Sequence, residues 1–157
     1  MKARKLIILV DLEKPFGINV QKSQKFIEKL KKYNVPIAVN FTQASGVVLK
    51  DLIARKDNGE LGEILGIDII IRYTSWPRQW QKSANWLRFK KEGGMTREVI
   101  SHFLFFIERV FGALRVIWAH TSYPSEEFLC ETSVFARLET TDNLPVNIFA
   151  TATGCMM

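Results

Sequence analysis

The sequence feature that most constrains the fold is an uninterrupted apolar run near the amino terminus, residues 6–10. A run without polar alternation is typical of a parallel strand that is buried on both faces. Asn19 is a good N-cap residue, and apolar residues follow it at helical spacing as far as Asn34. A second short apolar strand is predicted at residues 37–41. This order of elements predicts a βαβ unit, which should be right-handed.

The predicted βαβ unit is too small to bury its own first strand. A strand that is enclosed on both faces needs neighbours on either side and helices above and below. Residues 37–41 provide one partner strand, so we expect the other strands to lie upstream of this sequence. At the other end, the predicted strand around Ile148 runs almost directly into Cys155. We therefore expect a chain that is truncated at both ends.

The pattern changes after a helix predicted at residues 43–56 and a turn at Asp57-Asn58-Gly59. Longer strands follow, at residues 64–73, 114–121, 129–140 and 146–153, with one helix at residues 96–111. Long strands joined by turns imply a mostly antiparallel open sheet with a covering helix, which is an α+β domain. The predicted fold class is thus α/β followed by α+β, with domains at residues 1–59 and 60–157.

Composition excludes several classes of protein. The chain has 157 residues, of which 47% are hydrophobic and 24% are charged, as is ordinary for a globular domain. Its apolar stretches are far shorter than the roughly 20 residues that cross a membrane. The two cysteines, Cys130 and Cys155, have no metal-ligand spacing and no redox motif. We therefore predict reduced thiols, no metal site and a cytoplasmic location.

A net charge of +6 raises the question of an anionic partner. Aromatic and basic residues alternate over residues 76–91, as they do in proteins that bind single-stranded nucleic acid. No nucleic-acid recognition module accompanies this stretch. We therefore predict no nucleic-acid partner, and we expect the tryptophans to pack in the core or to form the wall of a substrate pocket.

A charged tripeptide, Glu13-Lys14-Pro15, closes the first strand. Open α/β sheets bind their ligands at the carboxyl ends of parallel strands. Lys14 could hold a substrate hydroxyl, stabilise an alkoxide or contact a nicotinamide carboxamide. For the tripeptide alone, a solvated lysine in a proline-bent turn is the simpler interpretation.

A second motif, Gly93-Gly94-(x)3-Glu98-(x)3-His102, opens the predicted helix at residues 96–111, which is apolar around most of its circumference and should be largely buried. Glu98 and His102 are four residues apart and so share a helix face. A carboxylate beside an imidazole is a usual general-base arrangement, because histidine titrates near neutral pH. A purely structural pair is an equally good interpretation. His120, near the end of a predicted strand, is interpreted as structural.

The order and separation of three segments resemble the glucose–fructose oxidoreductase and inositol dehydrogenase family, often called Gfo/Idh/MocA. The segments are residues 9–17, residues 35–40 with the preceding helix, and the motif from Gly93 to His102. The resemblance covers most of the chain, from the last βαβ of a Rossmann domain into the sheet of the carboxyl-terminal domain.

The resemblance implies an NAD- or NADP-dependent dehydrogenase that acts on a sugar, cyclitol or related polyol and forms homo-oligomers through the open sheet face. Lys14 matches the lysine that positions the reacting hydroxyl beside the nicotinamide, with Glu13 and Pro15 as its companions at the cofactor. His102 matches the catalytic acid/base, and Glu98 stands where the family often has an aspartate.

A dinucleotide site also needs a glycine-rich strand-to-helix turn, and no G-x-G-x-x-G occurs in this sequence. Two functional hypotheses therefore stand. The chain is part of an oxidoreductase that transfers hydride between a substrate carbon and nicotinamide. Alternatively, it is a non-catalytic fragment, or an oligomerisation or substrate-binding piece that needs a partner chain.

Overall fold

The computed structural model describes residues 10–13, 17, 19–41 and 46–152. The chain forms two compact units, residues 1–41 and residues 42–157. No helix within the described ranges is long and apolar enough to cross a membrane.

The first unit contains a βαβ arrangement. Strands β1 (Val10–Glu13) and β2 (Ile37–Asn40) pair in parallel, and helix α1 (Val20–Lys32) connects them. The Oδ1 atom of Asn19 accepts a hydrogen bond of 2.8 Å from the backbone N–H of Lys22, so the predicted N-cap is confirmed. The predicted βαβ unit is confirmed as well, although most of the apolar run that indicated its first strand lies outside the described residues.

The second unit is built on a four-stranded open sheet. Its elements are α2 (Val47–Asp57), β3 (Ile67–Tyr73), α3 (Ser101–Phe111), β4 (Leu114–Ser122), β5 (Ser133–Thr140) and β6 (Pro145–Ala152). The strand order is β3-β6-β5-β4, in which β3 and β6 are parallel and the other two pairs are antiparallel. The predicted mostly antiparallel sheet is thus confirmed. The two units meet between residues 41 and 42, so α2 belongs to the second unit. The predicted domain boundary lies near residue 60.

The core of the second unit lies between the inner face of the sheet and α3. Every second residue of β5 and β6 is buried, as a half-covered sheet requires. Helix α3 is less enclosed than its composition predicted. Ile107 and Val110 are its two buried residues, whereas Phe103, Leu104 and Phe106 are partly buried against the core. The sheet covers one side of α3, so side chains on the rest of the helix remain partly exposed.

The outer face of the sheet is exposed and carries large apolar side chains among polar ones such as Asp68, Arg72 and Asn147. Ile70 lies opposite Phe149 across the β3–β6 pair, and their exposed fractions are 67% and 40%. Phe149 packs edge-on against Phe135, with the ring centroids 4.7 Å apart. Trp118 on β4 extends the exposed apolar surface beyond β5. This outer face is defined here by Ile70, Phe149, Phe135 and Trp118.

Candidate functional site

The glycine pair of the second motif forms a tight turn that no larger residue could replace. A Cβ atom on Gly93 would overlap the backbone of Leu87, to whose carbonyl the N–H of Gly94 donates a hydrogen bond of 3.0 Å. Gly94 has a φ of +101°, and a Cβ atom there would lie 2.5 Å from a carboxylate oxygen of Glu131. Close packing requires glycine at position 93. At position 94, both the positive φ and the nearby Glu131 carboxylate require it.

Glu131 holds the start of the helical segment that follows the glycine turn. This residue is 7% exposed, and its Oε1 accepts a hydrogen bond of 2.6 Å from the backbone N–H of Thr96. A carboxylate at a helix amino terminus is stabilised by the unpaired N–H groups and by the helix dipole. Partial burial, and secondarily the charge of Glu131, raises the pKa of Tyr123.

A π-helical turn, Thr96–Ile100, leads directly into α3 and carries Glu98. The backbone N–H of Ser101 donates to the carbonyl of Thr96, five residues earlier. Turns of this kind are rare and frequently occur at functional sites. The segment predicted as one regular helix at residues 96–111 is thus a π turn joined to an α-helix.

Glu98 is held by a loop that precedes the glycine turn. Its Oε1 accepts hydrogen bonds from Nε2 of Gln81, at 3.0 Å, and from Nη2 of Arg78, at 3.4 Å. Nε of Arg78 in turn donates to Oε1 of Gln81 over 2.7 Å. Gln81 is 6% exposed, so this network is largely shielded from water. The three side chains therefore form one charge-balanced cluster beside the helix start.

Arg78 is also enclosed by aromatic rings. Its guanidinium carbon lies 4.6 Å from the ring centroid of Trp80, 5.4 Å from that of Tyr73 and 5.7 Å from that of Trp76. Sequence reasoning did not select Arg78 or Gln81 as site residues. The sequence signal that could have identified them is the alternation of basic and aromatic residues from Trp76 onward. In the structure, aromatic rings of this stretch surround the guanidinium of Arg78, which pairs with the carboxylate of Glu98.

His102 lies in the first turn of α3, four residues after Glu98 on the same helical segment. The side chain is partly buried, and its Nδ1 atom is shielded from solvent. Glu98 and His102 therefore emerge from one segment whose start is fixed by Gly94 and Glu131. The expectation that Glu98 orients the imidazole remains a prediction.

The other candidate residues have different surroundings. Lys14 and Pro15 lie outside the described residues. Glu13 is described at the carboxyl end of β1, where its carboxylate accepts hydrogen bonds of 3.2 and 3.3 Å from Nδ2 of Asn40. His120 is exposed on β4, opposite Phe135. The contact between Glu13 and Asn40 thus joins the carboxyl ends of β1 and β2.

The described cysteine and acidic residues form no assembled metal site. Cys130 is a buried free thiol, and Cys155 lies outside the described residues. Within the described part of the chain, no group of three or more His, Cys, Asp or Glu side chains is placed to hold a metal ion.

Comparison with solved structures shows that dehydrogenases share this fold. The WlbA dehydrogenase from Chromobacterium violaceum, solved in complex with NADH and UDP-GlcNAcA, superimposes with a TM-score of 0.76 at 14% identity, over 95% of this chain and 44% of that chain. The myo-inositol dehydrogenase from Corynebacterium glutamicum gives a TM-score of 0.68 at 18% identity, over 92% of this chain and 42% of that chain. No protein-family model and no curated protein matches the sequence.

The fold is that of the dehydrogenases of the Gfo/Idh/MocA type, and the chain matches the carboxyl-terminal portion of these enzymes. The resemblance inferred from the sequence motifs is therefore confirmed at the level of the fold. The chain spans less than half the length of the solved dehydrogenases that it matches.

Proposed function

We propose that this chain provides the catalytic histidine and the substrate-binding part of an NAD(P)-dependent dehydrogenase. The reaction would transfer hydride between a hydroxyl-bearing carbon of a sugar, cyclitol or polyol and nicotinamide. The observation that supports the proposal is the ordered segment from Gly93 to His102, which carries both Glu98 and His102 in a chain with the fold of these dehydrogenases.

His102 is proposed as the acid/base. Oxidation of a secondary alcohol releases the hydroxyl proton as hydride leaves the same carbon, and an imidazole can take that proton near neutral pH. Lys14 is proposed to hold the reacting oxygen, because an ammonium group stabilises developing alkoxide charge. Glu98, anchored by Gln81 and Arg78, supplies a fixed carboxylate on the same helical segment.

The residues of this chain are better suited to hold the nicotinamide of a dinucleotide than its pyrophosphate. Glu13 and Asn40 lie at the carboxyl ends of two parallel strands, which is where open α/β sheets accept a ligand. The bound nicotinamide would accept or donate the hydride. A pyrophosphate needs backbone N–H groups at a glycine-rich turn before a helix, and the sequence contains no G-x-G-x-x-G. Tight cofactor binding therefore requires residues beyond those of this chain.

The substrate class is proposed by likeness to solved relatives. One of them is a myo-inositol dehydrogenase and another was solved with UDP-GlcNAcA, so cyclic polyols and sugar derivatives are the first compounds to test. The decisive experiment joins this chain to the amino-terminal half of the Corynebacterium glutamicum enzyme and follows nicotinamide reduction with a panel of these compounds. Turnover that disappears in the His102→Ala variant would support the proposal.

Self-association through the outer face is a further part of the proposal. Ile70 and Phe149 are large exposed apolar residues that lie opposite each other across the β3–β6 pair, and exposed apolar surface commonly marks an interface. The same observation favours the second candidate function, a non-catalytic oligomerisation or substrate-binding piece that works with a partner chain. An inactive chimaera that still self-associates and binds sugar would favour that alternative.

A further inference from the structure

A pocket of about 420 Å³ opens beside the loop that holds Glu98. Trp76 and Pro77 form part of its wall, and the indole Nε1 of Trp76 donates a hydrogen bond of 2.9 Å to the carbonyl of Leu87, which fixes that wall. This volume falls within the range of small-molecule sites and admits a hexose-sized ring.

The polar lining of the pocket is cationic. Lys82 and Arg88 contribute two positive charges, and Gln79 and Asn85 contribute neutral amides. None of the described residues that line the pocket is acidic. An excess of donors and positive charge in a concave site favours an anionic ligand.

Arg88 is the residue that makes this argument specific. Its Nε atom is buried and donates a hydrogen bond to none of the described residues. Its backbone is fixed, because the carbonyl of Arg88 accepts a hydrogen bond of 2.8 Å from the N–H of Cys130. Arg88 also lines the pocket, and a guanidinium group on the wall of a concave site can donate hydrogen bonds to an oxyanion bound there.

Arg78 and Arg88 differ in their partners. Arg78 already has a carboxylate, Glu98, and an amide acceptor, Gln81. Nε of Arg88, from the same stretch of chain, has neither among the described residues. The guanidinium group prefers carboxylate and phosphate oxygens, which it can bind through two parallel hydrogen bonds.

We propose that this pocket binds an oxyanion, a carboxylate or a phosphate carried by a sugar-sized ligand, through Arg88 and Lys82. Its assignment to the substrate rests on the dehydrogenase function proposed above. The binding of an anion does not rest on that function, because it follows from the residues that line the pocket.

The test is calorimetric titration of the full chain with three probes, D-glucuronate, D-glucose 6-phosphate and D-glucose. At least one of the two anionic sugars should bind about tenfold or more tightly than glucose, and the comparison between them identifies the preferred oxyanion. Arg88→Gln and Lys82→Gln should each weaken that binding by about 10- to 100-fold, the range expected for a hydrogen bond to a charged group.

The matched control is Lys91→Gln, which removes the same charge from an exposed lysine outside this pocket and should leave the affinity unchanged. Lys82 is exposed, so its variant tests the pocket even if Arg88→Gln fails to fold. The proposal is overturned if glucose binds as tightly as both anions, if no sugar binds, or if the Lys82 variant binds like the control. The measurement needs neither cofactor nor turnover, so an inactive chimaera would not affect it.

Discussion

Nε2 of Gln81 donates a hydrogen bond of 3.0 Å to Oε1 of Glu98, from a position 17 residues earlier in the chain. Gln81 is among the few buried polar residues of the second unit, and Arg78 reaches the same carboxylate oxygen. The start of the helix that carries His102 is thus bound on one side to the loop around Gln81 and on the other to Glu131.

This relationship predicts the stability of a Glu98→Gln variant. The substituted amide can still offer its carbonyl oxygen to Gln81 and Arg78, but Arg78 would lose the negative charge with which it pairs. A loss of about 1–3 kcal/mol in the free energy of unfolding is expected, measured by urea denaturation. Glu63→Gln is the control, because this exposed residue makes the same chemical change without a partner in the described structure and should stay within about 0.5 kcal/mol. Equal stability of both variants would contradict the role given to Glu98.

The glycine turn should tolerate no side chain. Gly93→Ala and Gly94→Ala are each expected to cost about 3 kcal/mol or more, because the added methyl group meets the Leu87 backbone or the Glu131 carboxylate. Gly62→Ala is the matched control, since Gly62 also has a positive φ, +64°, but no described atom lies within 4 Å of its Cβ position. That variant should lose about 1–2 kcal/mol from backbone strain alone. Thermal unfolding followed by circular dichroism distinguishes the two cases.

Catalysis is testable in the chimaera described above. His102→Ala and Lys14→Ala should each lower turnover by roughly 100- to 10,000-fold, the contribution usual for acid–base groups, while changing stability far less. Glu98→Gln should lower turnover less than His102→Ala does, and should shift the pH–rate profile. Near-normal turnover of the His102 variant would make the Glu98–His102 pair structural.

The chain alone should bind NAD(H) and NADP(H) weakly. The expectation rests on the absence of a G-x-G-x-x-G turn from the sequence, because that turn normally supplies the N–H groups for the pyrophosphate. Titration followed by nicotinamide fluorescence is the measurement. Micromolar affinity for either cofactor would show that another part of the chain holds the dinucleotide.

The outer face should govern the oligomeric state. We expect dimers or larger species in light scattering, and Ile70→Lys or Phe149→Lys should shift the population toward monomer by placing a charge in the interface. Val47→Lys provides the control, because Val47 is 83% exposed on α2 and does not lie on the sheet. A monomeric parent chain at high concentration would argue against this interface.

Local physical chemistry made several elements predictable from the sequence. Asn19 offers a side-chain oxygen where a helix begins, and a short apolar run follows at residues 37–41, so α1 and β2 could be predicted. In the second unit, long strands joined by turns predicted a mostly antiparallel sheet with a helix on one face. The spacing of Glu98 and His102 likewise predicted that they lie on one helical segment.

Tertiary structure decided the partners of the charged groups, because hydrogen bonds across many residues leave no period in a sequence. Nothing in the local pattern distinguishes Arg78, which is bound to Glu98, from Arg88, whose Nε faces no acceptor among the described residues. The π turn also had no sequence signature, since it depends on how Gly94 and Glu131 fix the first N–H groups of the helix. The sequence therefore determined the elements and the candidate histidine, and packing determined which carboxylate is anchored and which guanidinium remains available to a ligand.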